Sequence, residues 1–170
     1  MADGDDIQGL FGTFDAKVDL NSGRVTLSTD LTLLKCKQVM ITTEPLKRYL
    51  EVRSLPTFNR FQERLLAKAD ELPIHLANAL RSNYLGSAAL AQVDNNFRLV
   101  LPKRTRDFLG NRGDVFIIGV GDCLQVWPAD RWAAVQADLE KALVENYEAY
   151  ATEIHRTGRR DIAPATQGAI

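Results

Sequence analysis

Two carboxylate–arginine turns carry the residues of this chain best suited to chemistry. Residues 93–102 read VDNNFRLVLP and hold Asp94 and Arg98; residues 18–28 read VDLNSGRVTLS and hold Asp19 and Arg24. A carboxylate beside an arginine can orient the guanidinium without removing its donors. The planar head can then fork onto guanine O6 and N7, or onto a phosphate. Lys103, Arg104 and Arg106 follow Pro102 at the start of a short helical stretch, where backbone N–H groups also favour phosphate. Arg112 and Lys17 are secondary candidates of the same kind. The bland reading uses the same residues: an Asp–Arg pair can simply hold its turn together, and a basic run can be a solvated helix face.

Bond-making chemistry finds less support. No nucleophile, base and orienting group share a pattern, so an enzyme is not expected. Two His and two scattered Cys offer no metal spacing, and no cofactor is expected. Gly119-Val120-Gly121 is too short for a phosphate loop and reads as part of a hairpin turn. His75 reads as structural, and His155 has no partner in sequence. Cys36 and Cys123 are isolated and read as buried thiols. Trp127 and Trp132 read as packing residues.

Composition sets the frame. The chain has 170 residues, 45% hydrophobic and 25% charged, with a formal net charge of −1. That suits one compact domain or two small halves sharing a core. No apolar run approaches the ~20 residues of a membrane span, and the acidic N-terminus lacks a signal-peptide core. A cytoplasmic protein with no membrane partner and no small-molecule substrate is expected. The overall charge hides an asymmetry. Residues 94–114 and residues 17–38 each balance at +2, whereas residues 1–15 carry −4. For binding, the position of charge matters more than its total.

The elements that must position these residues come in two similar sets. Arg24 and Arg98 stand 74 residues apart, and at the same offset Tyr49–Arg53 falls on Cys123–Trp127 and Phe58 on Trp132. Such self-similarity points to two like units in one polypeptide. Each reads as strand, turn, strand, short helix, two strands and a long helix. In the first unit the short helix is expected over Asp30–Lys35. Tyr49–Arg53 is a strand with Leu50 and Val52 on one face and Tyr49, Glu51 and Arg53 on the other. Residues 56–72 have helical periodicity, and 74–84 continue it after Pro73, with Ile74, Ala77, Leu80 and Tyr84 on one face. In the second unit Pro102–Leu109 is a short helix. A long helix from residue 128 or 129 to about Tyr150 carries the stripe Trp132, Val135, Leu139, Ala142, Leu143 and Asn146. Strands this short cannot bury both faces alone; two units that interleave their hairpins can share one core.

These residues resemble a family. The segment AQVDNNFRLVLPKRTRDFLGNRGDVFIIGVGDCLQVWPADRW is similar to the second half of MraZ proteins, bacterial regulators with two tandem SpoVT-AbrB-type units. The resemblance rests on Asp94, Arg98, the apolar strand Leu99–Leu101, Pro102, the basic stretch Lys103-Arg104-Thr105-Arg106, and the spacing to Val126-Trp127. It extends over roughly residues 10–150. It implies an α+β fold of two swapped-hairpin half-barrels forming a pseudo-dimeric β-barrel, each followed by a helix. The implied boundaries are an acidic tail at 1–9, a first unit at 10–58, a helical connector at 59–88, a second unit at 89–132, a C-terminal helix at 133–155 and a flexible tail at 156–170.

The resemblance further implies a ring-shaped homo-oligomer. It would bind double-stranded DNA at direct repeats upstream of the division and cell-wall gene cluster and repress transcription, in the cytoplasm at the nucleoid. Arg98, Arg24, Lys103, Arg104 and Arg106 would contact DNA, with Asp94 and Asp19 orienting the arginines. The first unit departs from the pattern in three places. Four residues, not three, separate Asp19 from Arg24; Ser28 stands where the family has Pro; and Phe11-Gly12 lacks the family's neighbouring basic residue. The alternative function is an oligomeric interaction protein of the same fold that has lost DNA binding.

Overall fold

The computed structural model describes residues 10–28, 36–110 and 112–154, except for the side chains of 152–154. The expected acidic tail, the helix over Asp30–Lys35, His155 and the tail from 156 lie outside the described residues. Within them the chain runs β1 (Leu10–Lys17), β2 (Arg24–Thr26), β3 (Gln38–Thr43), β4 (Leu50–Ser54), α1 (Leu55–Asp70), α2 (Ile74–Tyr84), β5 (Ala89–Gln92), β6 (Arg98–Val100), α3 (Lys103–Arg106), β7 (Asp114–Gly121), β8 (Leu124–Pro128) and α4 (Ala129–Ile154). The fold is α+β. The strands form a six-stranded antiparallel sheet, ordered β1-β7-β8-β4-β3-β5, and a two-stranded sheet of β2 and β6.

The pairing exchanges strands between the two repeats. β1 lies on β7 of the other repeat, and β5 lies on β3. In the middle of the large sheet Glu51 faces Gln125, and in the small sheet Val25 faces Leu99. Both pairs join residues 74 apart, so the offset read in sequence is the separation of residues that face each other between the two repeats. The flanking ladders follow the same rule with a slide. Val39 faces Ser54 as Val115 faces Pro128, and Val39 faces Ala91 as Val115 faces Ala16. One core results, drawn from both repeats: Val25, Val39, Ile41, Leu50, Val52, Leu99, Leu101, Ile117, Leu124 and Val126 are all essentially buried.

Helix α1 begins where local chemistry favours it. The Ser54 hydroxyl accepts a bond from the Thr57 amide (3.3 Å) and Pro56 occupies the first turn, satisfying one otherwise orphaned donor and presetting the backbone. The helix lies near β4 and alters the expected character of that strand. The second face of β4 is polar in sequence yet buried, because Glu51 and Arg53 pair with each other there and the Arg53 guanidinium lies 4.0 Å from the centre of the Phe61 ring. The equivalent residues of β8 repeat the arrangement without charge: the Trp127 indole N–H donates to the Gln125 side-chain oxygen at 2.9 Å.

Three further differences from expectation are local. Ile74 is 70% exposed although Ala77 on its face is buried, because it stands at the first residue of α2, beside the turn of the helical hairpin. Cys123 is buried but Cys36 only half-buried. Pro102–Leu109 divides into a single α-turn, α3, and a 3-10 turn over Asp107–Leu109. A second compact unit starts at Ala133. Its described part is the remainder of α4, which leaves Leu139, Leu143, Tyr147 and Tyr150 exposed.

Candidate nucleic-acid interface

The two-stranded sheet brings both arginine turns together. Strand alternation sends Val25 and Leu99 into the core and leaves Arg24, Thr26, Arg98 and Val100 on the other face. Arg24 stands opposite Val100 and Arg98 opposite Thr26. The arginines therefore sit diagonally on one ribbon face, about 7 Å apart along the strands. Their turns lie at opposite ends of the ribbon: the Leu101 amide bonds to the Gly23 carbonyl, and the Leu27 amide to the Phe97 carbonyl, each at 2.8 Å.

At the second turn Asp94 organises everything around it. Its Oδ1 accepts the amides of Asn96 (2.8 Å) and Arg98 (3.0 Å), and its Oδ2 accepts Nε of Arg98 at 2.8 Å. The Arg98 amide above all holds the Asp94 carboxyl below the usual carboxylate range; desolvation opposes it, and the Arg98 guanidinium and the Asn96 amide add to the lowering. Nε is thereby occupied, and the terminal guanidinium nitrogens make no hydrogen bond among the described residues. An arginine anchored through Nε presents its outer fork in a fixed direction, the geometry that bidentate recognition of guanine or phosphate requires.

The first turn is built differently. Asp19 accepts the Asn21 amide (3.0 Å) and the Ser22 hydroxyl (2.6 Å), and these two bonds, the hydroxyl first, lower its carboxyl below the usual range. The orienting role expected of Asp19 is thus absent from this geometry: Ser22 takes the oxygen that Arg98 takes in the other turn. The extra turn residue is the physical reason, since it puts a hydroxyl three positions after the carboxylate and moves the arginine to five. Arg24 projects exposed, with no side-chain hydrogen bond among the described residues. Both turns place one residue in the left-handed region, Gly23 at φ 77° and Phe97 at φ 55°.

Helix α3 abuts the first turn. Lys103 and Arg104 are exposed, and Arg104 borders a cavity of about 340 Å³ lined also by Lys47, Asn83 and Phe108. A helix of one turn sums little dipole, so any attraction for phosphate here rests on these side chains rather than on the helix end. Arg106 points elsewhere: its Nη1 donates to the carbonyls of Leu20 (3.1 Å) and Asn21 (2.6 Å). Sequence reasoning missed both this contact and Ser22. The Asp-x-x-Ser spacing could have revealed Ser22; nothing local signals a bond between residues 85 positions apart. Lys17 pairs loosely with Asp114 at 3.5 Å, both exposed. Among the described residues no group of His, Cys, Asp and Glu could hold a metal ion, and no helix is long and apolar enough to cross a membrane.

Comparison with known proteins adds an independent line. Residues 84–157, which include the second turn and α3, match the family model described as "MraZ protein, putative antitoxin-like". A protein of Caldicellulosiruptor saccharolyticus is 30% identical over 129 residues, 76% of this chain and 87% of its own length. The chain belongs to the MraZ family. Further MraZ relatives from Leptothrix cholodnii (31% identical; 68% of this chain, 77% of the relative) and Halorhodospira halophila (30%; 70% and 78%) carry the same name, transcriptional regulator MraZ. The match to the MraZ family model begins inside α2, so it takes in the second repeat, where the Asp94–Arg98 contact is made, and not the first.

Proposed function

We propose that this protein is a sequence-specific transcriptional regulator that binds double-stranded DNA through the β2–β6 ribbon and its two turns. Arg98 is the principal base contact, Arg24 the second, and Lys103 and Arg104 hold phosphates. The major groove admits a two-stranded ribbon. The observation that carries the reading is the Asp94–Arg98 contact, which anchors Nε and leaves the outer fork free on an exposed face. The relatives' name, transcriptional regulator, supports the same conclusion.

The finer reading follows from the family. The repeats act as two swapped-hairpin half-barrels of a pseudo-dimer, joined by a helical connector. Copies form a ring that binds direct repeats upstream of the division and cell-wall gene cluster and represses transcription at the nucleoid. A ring reconciles a chain of net charge −1 with a polyanion, since several modest basic surfaces acting on tandem sites bind as one.

Fluorescence-anisotropy titration against the duplex upstream of the gene, with a scrambled duplex and two salt concentrations, tests this. Tighter and salt-sensitive binding to the native duplex is expected. Equal or absent binding to both would favour the second reading, an oligomeric interaction protein that has lost DNA binding. The engagement of Asp19 by Ser22, which leaves Arg24 without an orienting carboxylate, is the observation on that side.

A further inference from the structure

Arg106 belongs by position to the basic stretch after Pro102, yet it is half-buried and its Nη1 is committed to the protein's own backbone. Nη1 donates to two carbonyls of the first turn, Leu20 and Asn21, and Nε is buried without a partner. The side chain packs against the backbone at Gly23. A Cβ built on that glycine would stand 3.0 Å from both Cδ and Nε of Arg106, and 2.4 Å from the Leu101 carbonyl oxygen. The turn is therefore closed on one side by Arg106 and on the other by Leu101, the residue that follows β6, both from the second repeat.

We propose that Arg106 is a positioning residue: it latches the Asn21–Gly23 turn of the first repeat and so sets where Arg24 meets DNA. The second turn needs no such latch because Asp94 holds Arg98 from within. In the first turn Asp19 is spent on Ser22, and Arg106 supplies the fixity from the other repeat. Two arginines of the second repeat thus do different work: Arg98 is held and presents its outer nitrogens, whereas Arg106 holds the first turn through Nη1. This rests on the DNA-binding reading above, and it assigns Arg106 away from direct DNA contact.

The test uses the full chain with Arg106→Lys and Arg106→Gln, each alone and combined with Arg24→Ala. Lysine keeps the charge but lacks the planar guanidinium that lies against Gly23 and aims Nη1 at both carbonyls. If Arg106 positions, both variants lose about tenfold in affinity for the native duplex. The slope of log affinity against log salt stays unchanged, and the loss disappears once Arg24 is already alanine. If Arg106 instead touches phosphate, Arg106→Lys keeps most of the affinity, Arg106→Gln lowers the slope by about 0.9 per engaged chain, and the losses add to that of Arg24→Ala. That outcome overturns the proposal.

Amide hydrogen exchange separates the latch from DNA binding altogether. Exchange at residues 20–24 is expected to rise about tenfold in Arg106→Gln, with α1 unchanged. Unchanged exchange at the turn overturns the latch even if the protein binds DNA. Faster exchange in a protein that binds no DNA leaves the latch standing and sinks the DNA-binding reading with the role assigned to Arg24.

Discussion

Arg98 and Arg24 occupy equivalent places on one ribbon, but only Arg98 is held by its aspartate. Replacing Arg98 by alanine is therefore expected to cost one bidentate contact, about 1–3 kcal/mol per chain, with the elution volume in size-exclusion chromatography unchanged; undiminished affinity would remove Arg98 from the interface. Asp94→Ala should weaken binding as well, by releasing Nε. The Asp94 carboxyl offers a sharper check. Its first depressing cause is the Arg98 amide, which survives mutation of the side chain. NMR titration should accordingly find Asp94 still below 3.8 in Arg98→Ala, and a return to that ordinary value would mean the guanidinium dominates. A depressed carboxyl stabilises its turn fully above the unfolded value and loses that contribution as pH falls through the folded one. The turn is thus expected to loosen as pH falls below 3.8. The Asp94–Arg98 contact was legible in sequence because a turn brings near neighbours together. Ser22 was signalled by its Asp-x-x-Ser spacing; Arg106 was not, because its contact requires the packing of the two repeats.

At the scale of elements, β4 and β8 solve one problem in two ways. Both place a polar residue where the two strands pair, Glu51 facing Gln125, and both bond it to the side chain two positions on. In β8 the pair is neutral; in β4 it is a buried ion pair, Glu51 and Arg53 each 5% exposed. Removing one partner of such a pair strands the other charge. Glu51→Ala is expected to lower stability in urea by about 3–5 kcal/mol, and a change under about 1 kcal/mol would show that Arg53 finds compensation elsewhere, such as over Phe61. Nearby, burial pushes the Cys123 thiol up to about 12, so iodoacetamide should leave it unmodified until the protein unfolds; rapid native labelling would contradict its burial. Helix and strand positions along β4 and α1 could be read from periodicity. The buried state of the Glu51–Arg53 face could not, because alternation says which residues share a face and not what covers it.

At the scale of the molecule, the exchange of strands makes each repeat depend on the other. Among the described residues β1 pairs only with β7 in the large sheet, β5 only with β3, and the small sheet takes one strand from each repeat. If the chain is divided in the turn between α1 and α2, the first fragment retains one strand pair, β3 with β4, and the second retains β7 with β8. A lone hairpin is marginal in water, and Val25 and Leu99, each at most 1% exposed in the intact chain, would lose each other as partners. Neither fragment should show a cooperative urea transition by circular dichroism, whereas an equimolar mixture should recover one, with a midpoint that rises with concentration because the core is now bimolecular. Cooperative unfolding of either fragment alone would mean that a repeat can close its own core. The intact chain avoids that bimolecular step by linking the repeats through α1 and α2. The same dependence places Arg24 and Arg98 on a single ribbon, so loss of the shared core would separate the two arginines and, with them, the first turn from Arg106.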